Sequence, residues 1–305
     1  MTSRDDCLKR RLLFASVQAY HPGDLDRTGD PGWRSPAPVE GLRSTFLLPP
    51  WAQPQIDLAL VGRVPEGIVV SFRGTLPPLD LAPNGRTVTN PAVLGLPVLL
   101  DWRNSLRVEL DSGAGVAGIQ IPGAVHKGFA TSLAGLWAGV AAQIDQLRGA
   151  DNAPHLYFTG HSKGGAVANL AAFCARSAWH DAIVKVATFG APRVGDHDFA
   201  RAYQAAGIDC QRYEVPEDIV PDVPTAGFVA GGLPNFHGCE PVGTLHQVDA
   251  IFYPKPAGFL ARLATLLPSD DDRSRIPHLA AAHLPYRGFG YGDNVCEPGC
   301  SHSWR

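Results

Sequence analysis

The chain has 305 residues, 45% hydrophobic and 18% charged, and at that length it can bury roughly three quarters of the surface its unfolded form exposes. A formal charge of −3 gives no reason to expect a nucleic-acid footprint, and no run of about eighteen apolar residues is present to span a membrane. Six cysteines (Cys7, Cys174, Cys210, Cys239, Cys296, Cys300) in a chain this long do not make a small secreted disulfide framework.

At the N-terminus Lys9, Arg10 and Arg11 precede a short apolar run, Leu12 to Val17. The run turns polar too soon for a secretory signal. It reads as a helix with Leu12, Leu13, Ser16, Val17 and Tyr20 on one face. Without a signal the expected location is cytoplasmic, with leaderless export left open, and thiols are expected to be reduced.

Ile56–Val64 and Ile68–Phe72 read as two strands joined at Pro65-Glu66-Gly67, a hairpin. Leu76–Leu100 is rich in Pro, Gly and isolated apolar residues, has no period, and is long for a connection. It reads either as a flap over a site or as an apolar loop packed on the core.

Further on, Val125–Leu147 reads as a helix and Leu156–Thr159 as a strand. Ala166–Trp179 reads as a helix apolar nearly all round, hence buried on several sides. Ile183–Phe189 is the next strand, Asp196–Ala206 a helix, and Cys210–Val215 a strand closed by Pro216. Val242–Tyr253 holds a further strand ending at Ile251-Phe252-Tyr253. Alternating strands and helices imply a parallel sheet covered on both faces. No linker divides the chain, so residues 1–305 are expected to form one domain, with 76–100 as an insertion and 292–305 as a tail. Trp102, Trp137 and Trp179 are expected in the core.

The chemistry concentrates in "FTGHSKGG", Phe158 to Gly165. A strand enters this G-x-S-x-G pattern and a helix leaves it. In that context the turn is sharp enough to strain the Ser backbone, and side chains at Gly160 or Gly164 would collide across it. The hydroxyl of Ser162 then stands at the N-terminus of a helix, where free amides favour negative charge. The competing reading is a glycine-rich turn whose Ser caps the helix.

A Ser nucleophile needs a base and an acid to orient that base. On this kind of sheet the acid and then the base follow in chain order. Asp218, in "EVPEDIVPDVP", sits just past a strand, with Glu214, Glu217 and Asp222 as rivals. Five histidines lie beyond it: His237, His246, His278, His283 and His302. Spacing does not choose among them.

Taken together the motifs resemble the class 3 lipases, the fungal-type triacylglycerol lipases and their bacterial relatives, from about Leu12 to about Tyr291. "SFRGT" (71–75) resembles their oxyanion strand, and "VHKGF" (125–129) the opening of a long helix. "TGHSKGGAVANLAA" resembles their nucleophile elbow, and "TFGAPRVGDHDFA" (188–200) their next strand and helix. "EDIVPDVP" resembles the acid loop, and "AHLPY" (282–286) the His-bearing segment. The resemblance implies an α/β-hydrolase fold with a mostly parallel sheet, helices on both faces and a lid-like insertion. It implies Ser162 as nucleophile, Asp218 as acid and His283 as base, leaving His126 and His246 as structural residues. It further implies oxyanion donors in the backbone amides of Thr75 and Lys163, with the Thr75 hydroxyl as an additional candidate.

The implied activity is hydrolysis of carboxylic esters of lipids, at a lipid–water interface, with no cofactor and no metal. Phospholipase A, short-chain esterase and polyester hydrolase are alternatives on the same scaffold; a non-catalytic lipid-binding protein is a third class. Many members of the family carry Leu where Lys163 stands. Its side chain is expected to turn to solvent; a cation held beside the nucleophile would instead favour anionic head groups. Cys296, Cys300 and His302 offer too few ligands for zinc. Asp270-Asp271-Asp272, followed by Arg273 and Arg275, reads as a solvated charge run rather than a calcium site.

Overall fold

In this computed structural model the described residues are 4–20, 34–40, 57–75, 80–81, 87–88, 109–151, 155–216, 218, 220–222, 238–248, 283 and 291. Their centre is a seven-stranded sheet: β1 (Arg34–Glu40), β2 (Leu58–Val64), β3 (Gly67–Phe72), β4 (His155–His161), β5 (Ile183–Phe189), β6 (Asp209–Glu214) and β7 (Thr244–Gln247). The strands lie side by side in chain order. The β1–β2 and β2–β3 pairs are antiparallel, and β3 through β7 run parallel.

The hairpin of β2 and β3 forms as the sequence indicates, with Val64 opposite Gly67. Gly67 is the residue the turn requires, because a Cβ there would lie 2.6 Å from the His155 carbonyl oxygen. Among the described residues four α-helices accompany the sheet: α1 (Arg4–Gln18), α2 (Lys127–Asp151), α3 (Lys163–Ala178) and α4 (His197–Ala205).

Side chains alternate across each strand, so the sheet buries two apolar faces. On one face Leu60, Val69, Tyr157 and Ala187 pack with Leu12, Leu13, Ala15 and Ala19 of the N-terminal segment. On the other, Val61, Val70, Phe158 and Val186 pack with Leu133, Trp137 and Val140 of α2 and with Val167, Leu170 and Ala171 of α3. α3 is buried along most of its length, as its all-round apolar sequence requires. Trp137 is in this core; Trp179 packs against it and donates from Nε1 to Asp145 at 2.8 Å. Trp102 lies outside the described residues.

α1 is tied to the sheet by buried hydroxyls as well. Ser71 Oγ donates to the Ala15 carbonyl at 2.8 Å, and Ser16 Oγ lies 3.0 Å from Thr159 Oγ1. These three buried hydroxyls are thereby satisfied, and each bond contributes about 1 kcal/mol.

Of the flap segment, Asp80–Leu81 and Thr87–Val88 form a small antiparallel ladder; the remaining residues of 76–100 lie outside the described ones. So do Ile251-Phe252-Tyr253, Asp270 to Asp272, and the tail 292–305. The strand expected within Val242–Tyr253 is found at Thr244–Gln247. No helix among the described residues is long and apolar enough to cross a membrane.

Candidate active site

β4 ends at His161 and α3 begins at Lys163, leaving Ser162 alone in the bend. Its backbone has φ 57° and ψ −133°, and among the described non-glycine residues only Ala117 also has positive φ. Such a conformation costs about 1–3 kcal/mol and persists where the surroundings impose it. Here they do. The Ser162 amide is tied to the Phe189 carbonyl at 3.0 Å, and the Gly165 amide to the Ser162 carbonyl at 2.9 Å.

The glycines are obligatory: a Cβ on Gly160 would lie 2.2 Å from the Gly164 carbonyl carbon, and one on Gly164 2.1 Å from the Phe72 carbonyl oxygen. Ser162 stands in the cap position of α3, yet its side chain makes no capping bond. The reading of this residue as a helix cap is therefore set aside.

Asp218 follows β6 and is buried. A short turn holds it, with its amide donating to the Val215 carbonyl at 2.9 Å and Oδ1 accepting from the Val220 amide at 2.9 Å. Oδ2 lies 2.7 Å from His283 Nδ1 and accepts from the Tyr291 hydroxyl, also at 2.7 Å. A carboxylate only accepts, so Nδ1 of His283 carries its proton. Nε2 is then the basic nitrogen.

The rival acids are engaged elsewhere or fall outside the described residues. Glu214 pairs with Arg212 at 2.9 Å, Asp222 lies 3.8 Å from Arg193, and Glu217 is not described. Burial raises the Glu214 carboxyl above its ordinary range, with Arg212 opposing.

His283 joins the elbow through its neighbour. His161 Nε2 lies 2.5 Å from the His283 carbonyl oxygen, and the two rings are 4.5 Å apart between centroids. His283 thus contacts the residue that precedes Ser162 in the chain. Burial, and secondarily the neighbouring His283, hold the His161 ring well below its ordinary pKa, with the bond to the His283 carbonyl opposing. Of the other histidines, His246 is exposed on β7 against Gln211. His126 caps α2, accepting from the Gly128 amide at 3.1 Å and stacking on Phe129. His237, His278 and His302 lie outside the described residues.

Thr75 is half-buried, three residues past the end of β3. The register Phe72 opposite Gly160 brings the end of β3 beside the elbow. Gly74 between them is packed so closely that a Cβ would lie 1.9 Å from the Tyr20 hydroxyl and 2.6 Å from the His161 carbonyl.

Lys163 opens α3, whose first amides have no partner within the helix. Its side chain does not turn to solvent, as the sequence led us to expect. It is 4% exposed and reaches Asp57 at 3.3 Å, just ahead of β2. A Lys at position 163 is thus held by a carboxylate from the residue that leads into β2.

Tyr291, Tyr20, His161 and Asp57 are the participants the sequence did not single out. Among the described residues no group of three His, Cys, Asp or Glu is placed to hold a metal ion. Cys174, Cys210 and Cys239 are free and buried, and burial pushes the Cys174 and Cys210 thiols up to about 12.

Residues 69–228 match the family Lipase (class 3). A lipase of Caenorhabditis elegans is 32% identical over 285 residues, covering 86% of this chain and 70% of that protein. A chloroplastic phospholipase A(1) of Arabidopsis thaliana is 27% identical over 186 residues, 56% of this chain and 36% of that protein.

Among solved structures, the native Rhizomucor miehei lipase propeptide complex superposes with a TM-score of 0.56 at 22% identity, covering 81% of this chain and 70% of that one. A triacylglycerol lipase of Penicillium expansum superposes with a TM-score of 0.54 at 16% identity, covering 81% and 82%. The fold is that of the α/β-hydrolases. The chain belongs to the class 3 lipases, carboxylic ester hydrolases of lipids.

Proposed function

We propose that Ser162 is the nucleophile, His283 its general base and Asp218 the acid that orients the base. The bond from His283 Nδ1 to buried Asp218 at 2.7 Å, with the His283 ring against His161, the neighbour of a Ser162 that makes no capping bond, carries this reading. His283 Nε2 takes the Ser162 proton as Oγ attacks the ester carbonyl carbon. The carbonyl π electrons move onto oxygen. The amides of Thr75 and Lys163 receive that charge, and one such donor is worth roughly 3 kcal/mol. Collapse of the tetrahedral species expels the alcohol, which takes the proton from His283. Water repeats the sequence on the acyl-enzyme, releasing the fatty acid and restoring Ser162.

Asp218 holds the imidazole in the required tautomer and stabilises its cation throughout. The substrate class we assign is a lipid ester with a long acyl chain, a triacylglycerol first. Likeness to a plant phospholipase A(1) over 56% of the chain makes a phospholipid the second candidate.

A panel of p-nitrophenyl esters of increasing chain length, then triacylglycerol and phospholipid vesicles, tests the reading, with Ser162→Ala as control. Activity should be highest on long-chain esters and fall on the order of 10⁶-fold in the control. Near-native activity in Ser162→Ala would end the mechanism. A preference for phospholipid would leave the mechanism standing and change the substrate.

A further inference from the structure

His161 holds two partners, and their chemistry fixes its protons. Nε2 faces the His283 carbonyl, which only accepts, so Nε2 carries the hydrogen. In the neutral ring Nδ1 is then an acceptor, and the Tyr20 hydroxyl, at 2.9 Å, donates to it. A continuous path results: Tyr20 O–H to His161 Nδ1, and His161 Nε2–H to the backbone of His283.

Both ends of the path are anchored. Tyr20 follows α1, whose last turns are pinned to β3 and β4 through Ser16, Ser71 and Thr159. The Tyr20 hydroxyl is wedged against Gly74, where a methyl group would have no room. At the far end, the carbonyl it holds belongs to the residue whose ring meets Asp218. His161 itself is 2% exposed, so water does not compete for its bonds.

We propose that Tyr20 and His161 are positioning residues of the triad, a strut by which the N-terminal helix holds the His283 backbone and thereby its bond to Asp218. The proposal rests on His283 being the base. Neither residue touches substrate; each acts through His283. Losing the Tyr20 donor frees the His161 tautomer. With the proton on Nδ1, two lone pairs face each other across the short contact to the His283 carbonyl, and that segment moves away.

The test compares wild type with Tyr20→Phe, His161→Gln and His161→Leu by two readings. One is the low-field proton resonance of His283 Nδ1, taken on ring-labelled histidine without substrate. The other is kcat and KM on a soluble ester. Tyr20→Phe should lower kcat about tenfold with KM within about twofold, and broaden the low-field resonance by solvent exchange. His161→Gln retains an N–H for the carbonyl and should keep the resonance and most of the rate. His161→Leu should lose both.

An unchanged resonance and unchanged kcat in Tyr20→Phe would overturn the strut, as would Gln and Leu variants that behave alike. Tyr20→Phe decides the matter alone if His161→Leu does not fold. Because the resonance is read without turnover, it tests the strut even if Ser162→Ala retains activity and the triad reading falls.

Discussion

The Tyr291 hydroxyl donates to Asp218 Oδ2 at 2.7 Å while accepting from the Val215 amide at 3.1 Å. One buried oxygen thus ties the acid to the end of β6 and leaves Oδ2 facing His283. Gly190, at φ 59°, keeps the space open, since a Cβ there would lie 2.7 Å from Asp218 Oδ2 and 2.9 Å from the Tyr291 oxygen. Tyr291→Phe removes the donor and strands the Val215 amide. We expect it to lose about 2 kcal/mol in urea unfolding and to lower kcat about tenfold with KM little changed. A stability equal to wild type would show that the buried amide finds another partner.

The elbow glycines give a sharper contrast. Gly164→Ala puts a methyl 2.1 Å from the Phe72 carbonyl oxygen, which backbone must move to admit. Its cost should exceed about 3 kcal/mol, the scale of severe core overpacking. Gly149, exposed in α2, has nothing within 4 Å of a Cβ. Gly149→Ala should therefore stabilise by up to about 1 kcal/mol through helix propensity. Urea midpoints measured side by side check both signs.

These positions also show what the sequence makes legible. The hydrophobic runs located the main strands because buried parallel strands must be apolar on both faces, as Ile183–Phe189 is along most of its length. The elbow was legible because Gly160 and Gly164 answer a local collision. Asp218 and His283 are singled out only by likeness of their segments, since nothing local separates His283 from His246. Tyr20, Tyr291 and Asp57 were not legible. Their roles are contacts across 141, 73 and 106 residues of chain, and no periodicity encodes such partners. Lys163 was misread for the same reason: its carboxylate lies far away in sequence.

The Lys163–Asp57 pair is buried on one side and nearly so on the other. Removing one member leaves a charge without its partner, so Lys163→Met should cost on the order of 3 kcal/mol. The double variant Lys163→Met, Asp57→Leu should recover most of that loss. A thermodynamic cycle from urea curves of the four proteins checks this; additive losses would mean the two side chains do not interact.

Histidine burial sets a pH dependence. Desolvation lowers the His126 pKa from 6.5 to about 4, with the backbone bond and Glu109 opposing. The unfolded chain takes up a proton below 6.5, while the folded chain takes it up only near 4. Stability is therefore full above pH 6.5 and falls as pH drops toward 4, by up to about 3 kcal/mol from this residue. His161, lowered in the same direction, adds to the loss. Asparagine can replace His126 as a cap without titrating. In His126→Asn the stability difference between pH 7 and pH 4.5 should shrink by about 2 kcal/mol; an unchanged difference would assign the acid sensitivity to other groups.

The most direct measurement is covalent. Purified protein treated with a long-chain fluorophosphonate and digested should yield one modified peptide, with the adduct on Ser162. His283→Ala should slow that labelling by several orders of magnitude while the protein stays folded. An unlabelled Ser162 in folded wild-type protein, or labelling that proceeds equally fast without the imidazole, would contradict the assignment of nucleophile and base.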